Sequence, residues 1–547
     1  MASILWYDLE TFGLEPRHDR VAQFACVRTD ESLKPLSGGL VLYNKITPDY
    51  LPSPYACMVH GVSPRQTMDE GIPEYQFAKA LRTEMGAPGT CVAGYNSIKF
   101  DDEFVRNLFY RNLFDPYERE WADGNSRWDV IDLFRAARDL RPEGMSWPVN
   151  ERGRPDFTLG AMAAANEVRL EHAHDALADI EATIALARLV RERQGRLYDW
   201  YWRHRSRDAL RPLIDLAGRE PLVHTAAAYT SERGCSAIVA PVGMVPGRRD
   251  LVVAVDLRRD PEPLVSLPVD ELKRRLFGKA AELPEGERIP LVQIRLGRCP
   301  YLAPLSILDA KAESRLGLDS ALARKRAASL GKEPGLIQKL AAVFAPDGRG
   351  AADPDPEYRI YSGGFFRDED REAMDELHEL VATLGPALAK PKAYALHFID
   401  ERLPQLTRRL FARNWPETMS PAERARWRSF CAGRLLCPRI EGATDLAGFD
   451  KTVQSLLASL DTPPEKKAIL LKLLEYRRWL DEEVLSYGGA PSARRSDRAG
   501  DRTPSPAGGP AGDRSADPAA KDASRDGATP ARSGRAGSEP PAPRSRR

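Results

Sequence analysis

The sequence has no C-x-x-C pair. Its seven cysteines, Cys26, Cys57, Cys91, Cys235, Cys299, Cys431 and Cys437, are scattered, which argues against a zinc ribbon or a thioredoxin-type redox site. Their odd number and wide spacing predict reduced thiols and a cytoplasmic protein. No apolar run approaches the ~18 residues of a membrane span, so no membrane partner is expected. The opening residues, Met1–Asp8, have no basic segment followed by a long apolar one and do not read as a signal peptide. Neither sign of charge is in large excess. With a formal net charge of +1, any affinity for a polyanion must come from a local basic groove. From Gly488 to Arg547 there is no Leu, Ile, Val, Phe, Tyr or Trp. Such a segment cannot bury enough apolar surface to offset its ordering entropy, which predicts a disordered tail over 488–547. The tail is mildly basic. It reads as a solubilising segment, with a weak non-specific nucleic-acid contact through its arginines as the alternative.

What is present describes a multidomain globular chain. At 547 residues it is too long for one hydrophobic core, and 42% apolar with 29% charged residues is ordinary for a folded protein. The first part, 1–194, reads as α/β. Strands are predicted at Ile4–Tyr7, Val21–Arg28, Leu40–Tyr43 and Cys91–Tyr95, and helices at Asp102–Arg111, Asp129–Arg138 and Asp175–Arg193. In the last of these, Ala176, Ile180, Ile184, Ala187 and Val190 recur at helical spacing. This order predicts a mixed sheet with helices packed on it. In the second part, 195–347, the apolar runs Ser236–Val242, Leu251–Leu257 and Pro290–Leu296 predict a small β-rich domain, followed by a helical stretch near Asp319–Ala345. Pro346–Glu357 reads as a linker. The third part, 352–487, has helical spacing, as in Asp370–Leu384 and Pro464–Leu480.

Three short segments carry chemistry. In Asp8-Leu9-Glu10, residues two apart on a strand face the same side, so two carboxylates meet at the strand's end. Hard divalent cations take such oxygen ligands. In Asn96–Asp101, an acidic residue follows a strand and opens a helix. Taken alone, Asp101 or Asp102 would simply cap that helix and complement its dipole. In His174–Asp179, a histidine lies five residues before an aspartate in the first turn of the clearest helix. Histidine is the usual general base near neutral pH. Each segment alone has an ordinary structural explanation. Their order and their strand-end or helix-start contexts make them one candidate site.

That combination, D-x-E, N-x4-D and H-x4-D, resembles the DEDDh family of 3′→5′ exonucleases, in which a ribonuclease H-like fold is expected. His60–Pro64 (HGVSP) is similar to a segment common between the first two motifs. Asp8–Gly13 (DLETFG), Gly94–Glu103, Phe109–Asp115 (FYRNLFD), Asn125–Asp129 (NSRWD), Pro221–His224 and Gly364–Phe366 further resemble bacterial exonuclease I. The resemblance covers Ile4–Tyr487. It implies an exonuclease domain, an SH3-like domain and a helical C-terminal domain around single-stranded DNA, with roles in DNA repair and recombination.

The resemblance implies that Asp8, Glu10, Asp101, His174 and Asp179 form the catalytic site. Asp8, Glu10 and Asp179 would be the metal ligands, Asp101 would act on a second metal or its waters, and His174 would be the base. Two Mg2+ ions per site are implied, with Mn2+ able to substitute. Glu10 and Thr158 are the candidate substrate contacts, although the exonuclease I pattern carries an arginine where this chain has Thr158. Threonine still offers a hydrogen bond to phosphate but no charge. The acidic C-terminal tail of single-stranded DNA-binding protein is the implied partner, and a monomer the expected state. The aromatic and basic segments Trp121–Trp128 and Trp200–Arg205 either stack on bases or pack in the core. Two other readings remain. One is an RNA exonuclease resembling oligoribonuclease, which would account only for the first domain. The other is a catalytically silent DNA-binding scaffold, which the retention of all five motif residues disfavours.

Overall fold

The computed structural model describes residues 2–169, 175–279, 282–284, 286–331, 333, 335–345, 353–440 and 442–486. The expected disordered tail and His174 lie outside these residues.

The N-terminal sheet consists of β1 (Ser3–Thr11), β2 (Val21–Thr29), β3 (Leu40–Tyr43), β4 (Thr90–Gly94) and β5 (Ser126–Asp129), in the order β3-β2-β1-β4-β5. β1 pairs antiparallel with β2 and parallel with β4, and β4 is parallel to β5, so the sheet is mixed as expected. β1 is longer than the apolar run that announces it. Its pairing with β2 continues through Asp8↔Ala25 and Glu10↔Gln23, so both carboxylates lie within the strand rather than past its end. The helix expected from Asp129 begins instead at Ile131. Asp129 closes β5 opposite Gly94, because the parallel ladder claims its backbone first.

Alternation along β1 sorts its side chains between two cores. Ile4 and Trp6 join a cluster with Trp128 and with Ile180, Ile184 and Val190 of the Ala176–Arg193 helix. Leu5, Tyr7 and Leu9 join a second cluster with Phe104 and Leu108 of the Asp101–Arg111 helix and with Leu403, Leu406 and Leu410 further on. The central sheet is therefore covered on both faces. Truncating a fully buried member such as Trp6 would cost roughly 3–5 kcal/mol.

The middle part forms a second sheet of β6 (Leu222–Thr225), β7 (Ser236–Met244), β8 (Leu251–Asp256), β9 (Leu291–Arg295) and β10 (Tyr301–Pro304), in the order β10-β6-β7-β8-β9. Every neighbouring pair is antiparallel. The three predicted runs are β7, β8 and β9. β6 and β10 span four residues each, too short for a pattern to register. The helical stretch that follows is two helices, Ser320–Gly331 and Leu336–Val343. Val223, Ile238 and Tyr301 of this sheet share the first cluster with Trp6 and Trp128, so the two sheets are joined by one apolar core. The C-terminal part is helical, with Asp368–Leu384, Leu403–Asn414, Pro421–Leu436, Leu446–Ala458 and Pro464–Leu480 as its main elements.

The aromatic segments favour the packing reading. Trp128 is fully buried, and Trp200 and Trp202 pack against the same core. Arg205 lies over the Trp202 ring, 3.7 Å from its centroid. Trp121 is the exception, at 58% exposed. All seven cysteines are free thiols, six buried and Cys437 exposed. Among the described residues, no helix is long and apolar enough to cross a membrane.

Candidate active site

Asp8 and Glu10 continue the Ile4–Trp6 face of β1, where the Ala176–Arg193 helix crosses it. That helix starts where its sequence says it should. Asp175 takes the N-cap position and its carboxylate accepts from the backbone N–H groups of Leu177 (3.0 Å) and Ala178 (3.5 Å). Ile180 and Ile184 then anchor the helix on the sheet, and Asp179, in its first turn, is carried to the β1 carboxylates. One oxygen from each of Asp8, Glu10 and Asp179 lies within 4.8 Å of the others. Glu10 is buried, and Asp8 and Asp179 are half-buried.

Three carboxylates this close repel one another when ionised, and a cation among them relieves that repulsion. The donor set is all oxygen, which suits a hard divalent ion and not a thiolate-seeking one. The residues present therefore fit a divalent metal.

Asp101 is buried at the first residue of its own helix and is not a member of that trio. The turn that delivers it is tightly specified. Gly94 ends β4, and a side chain there would drive a Cβ to 2.6 Å from that of Ser97. Asn96 adopts a left-handed conformation, φ 58°, that asparagine tolerates better than most residues. The Asp129 carboxylate accepts from the backbone N–H groups of Asn96 (2.9 Å), Ile98 (3.2 Å) and Ile131 (3.1 Å), tying this turn to the end of β5. Burial nevertheless pushes the Asp129 carboxyl up to about 6. In the sequence Asp129 stands out only as the start of an expected helix and as part of the NSRWD block. Two of its bonding partners are backbone groups more than 30 residues away, which no spacing rule reveals.

His60 closes the C-terminal end of β1. Its Nδ1 accepts from the Val62 N–H at 3.0 Å, so Nε2 carries the proton and donates to the Thr11 carbonyl at 3.2 Å. The HGVSP segment thus pins the strand just beyond Glu10. Thr158 occupies the N-cap position of the Leu159–Ala165 helix, but its hydroxyl does not cap that helix. Its backbone N–H donates to Asp156 at 2.9 Å. His174 lies outside the described residues, one position before the Asp175 cap.

Comparison with known proteins bears on all three parts of the chain. Residues 5–187 match the exonuclease family, 205–346 the exonuclease I SH3-like domain and 354–480 the exonuclease I C-terminal domain. Exodeoxyribonuclease I of Escherichia coli (strain K12) is 36% identical over 475 residues, covering 87% of this chain and 97% of that protein. The solved, moderately thermophilic exonuclease I from Methylocaldum szegediense is 40% identical, with a TM-score of 0.81 over 88% of this chain and 100% of its own. The zinc-bound form of the E. coli exonuclease I–single-stranded DNA complex is 36% identical, with a TM-score of 0.81 over 88% of this chain and 99% of its own. The β-rich middle part is therefore SH3-like, use of a divalent metal follows from the family, and the chain belongs to the exonuclease I family.

Proposed function

We propose that this chain degrades single-stranded DNA from the 3′ end, releasing 5′-mononucleotides, by hydrolysis at Asp8, Glu10 and Asp179. The observation that carries the reading is the convergence of these three carboxylates, from strand and helix about 170 residues apart in the sequence, within 4.8 Å. In this reading Asp8, Glu10 and Asp179 hold the metal, with two Mg2+ ions per site and Mn2+ able to replace them. Metal bound there supplies positive charge to the phosphate oxygens and makes bound water more acidic. Asp101 completes the acidic set from the neighbouring helix start. His174, placed before the Asp175 cap, takes the proton of the attacking water on an imidazole nitrogen. Glu10 and Thr158 contact the terminal nucleotide, Thr158 through its hydroxyl.

The domain boundaries proposed are 1–194, 195–347 and 352–487, with 488–547 as a tail. The protein acts in the cytoplasm as a monomer. The acidic C-terminal tail of single-stranded DNA-binding protein is its partner, and its loss should remove any stimulation on coated DNA.

The experiment is direct. Purified protein is mixed with 5′-labelled single-stranded DNA, duplex DNA or RNA, in Mg2+ or EDTA. A ladder shortening from the 3′ end, on single-stranded DNA and only with metal, supports the proposal. Binding without shortening points to a scaffold. Shortening of RNA alone points to an oligoribonuclease-like enzyme.

A further inference from the structure

Asp102 directly follows Asp101, and its carboxylate is sunk in the protein. It is 1% exposed, and three donors surround it. The Tyr7 hydroxyl donates to one oxygen at 2.7 Å, Arg119 to the same oxygen at 2.7 Å, and Arg127 to the other at 2.7 Å. A buried carboxylate is tolerable only when its lone pairs are met in this way. Burial opposes its charge, but Arg119 and Arg127 outweigh that and hold the carboxyl well below its usual range.

The partners come from separate elements. Tyr7 sits on β1 immediately before Asp8, on the opposite face. Arg127 is on β5, and its other nitrogen donates to the Gly297 carbonyl of the SH3-like domain at 2.8 Å. Arg119 lies in the turn of residues 118–120, where Glu120 pairs with Arg127 at 3.0 Å and with Arg106 of the Asp101 helix at 2.7 Å. One carboxylate therefore fastens the first turn of the Asp101–Arg111 helix to the strand that carries Asp8 and Glu10. The next residue, Glu103, extends the same turn outward, to Arg298 of the SH3-like domain at 3.3 Å and to the Tyr361 hydroxyl of the C-terminal part.

We propose that Asp102 is a positioning residue, which through Tyr7 fixes Asp101 relative to the Asp8–Glu10 pair. The inference rests on the reading that these acids form the active site. Hydrogen bonds that orient the immediate ligands of a metal are commonly worth ~10–100-fold in affinity or activity. Tyr7→Phe removes only the tie to β1 and keeps the ring in its core. Asp102→Asn keeps the size of the side chain and removes its charge.

The test compares wild type, Tyr7→Phe and Asp102→Asn by Mn2+ binding in the absence of DNA and by kcat and KM on single-stranded DNA. The expected result is Mn2+ binding weakened by ~10-fold and kcat lowered by a similar factor, with KM for DNA unchanged. A merely structural role would lower the melting temperature and leave Mn2+ affinity alone. Mn2+ affinity and kcat within twofold of wild type in Tyr7→Phe would overturn the inference, whether or not Asp102→Asn folds. A wild-type protein that binds Mn2+ but leaves DNA intact would instead sink the functional reading, and the Mn2+ comparison would still judge Asp102. Absence of Mn2+ binding by the wild type would overturn both.

Discussion

Arg413 donates to the Asp49 carboxylate at 2.8 Å, joining a C-terminal helix to the exonuclease domain across 364 residues of chain. Both side chains are essentially inaccessible to solvent. Arg20 and Arg434 also reach Asp49, and Glu357 pairs with Arg413 and Arg434. Burial works against the Asp49 charge, but Arg413, Arg20 and Arg434 more than offset it, so its carboxyl is held well below the ordinary range. Removing one partner from such a buried pair strands the other charge at a cost of about 3–5 kcal/mol. Arg20 and Arg434 stay beside Asp49, so Arg413→Met should lower the unfolding free energy by at most about that much in urea titrations. A loss below about 1 kcal/mol would mean that the remaining arginines or water compensate the carboxylates.

The carboxylate trio makes the most direct functional prediction. Asp179→Ala and Asp8→Asn should each lower kcat on single-stranded DNA by more than ~100-fold, since even indirect supports of a metal site cost ~10–100-fold. EDTA should abolish activity, and added Mg2+ should restore it. Circular dichroism should be unchanged, because both side chains are only half-buried. Wild-type rates from Asp179→Ala in Mg2+ would refute the assignment.

Stability should fall in acid through buried histidines. Burial holds His224 down to about 3, with Lys99 adding to the effect, and holds His18 down to about 3, with Arg20 and Arg434 adding. Their unfolded values are near 6.5. Between those limits the unfolded chain binds more protons than the folded one, so stability rises with pH up to ~6.5 and is then flat for these groups. His224 shares a hydrogen bond with the Tyr229 hydroxyl at 2.9 Å. His224→Gln retains a polar partner for Tyr229 and cannot titrate. Urea unfolding of this variant between pH ~4 and ~6.5 should show a shallower slope than wild type.

The arginine-containing tail can be tested by deletion of 488–547. If it only solubilises, kcat/KM on naked single-stranded DNA and its dependence on salt should not change. A shallower salt dependence in the shortened protein would assign the tail a contact with phosphate.

Much of the site is legible in the amino-acid sequence. The strand periodicity of Asp8 and Glu10, and the helical spacing around Ile180 and Ile184, place three acids on the correct kinds of element, because these patterns are local. Helix and strand limits are less legible. β1 runs on to Thr11 because β2 pairs with it, and Asp129 belongs to β5 because β4 lies beside it. Asp101 and Asp102 illustrate the limit best. Adjacent, identical and at one helix start, they are told apart in sequence only by the family resemblance, which assigns Asp101 and says nothing of Asp102. The fold surrounds the Asp102 carboxylate with Tyr7, Arg119 and Arg127, which lie 95, 17 and 25 residues away in the chain.

The identities of the acids, their order and the elements that carry them follow from residue type and short-range periodicity, which need no partner. That Asp8, Glu10 and Asp179 meet within 4.8 Å, and that Asp129 and Asp102 hold the turn beside them, are properties of the folded chain. Those relations depend on strand register and on the crossing of a helix over a sheet. Both are set by which apolar faces bury against each other, a long-range choice that no local spacing encodes.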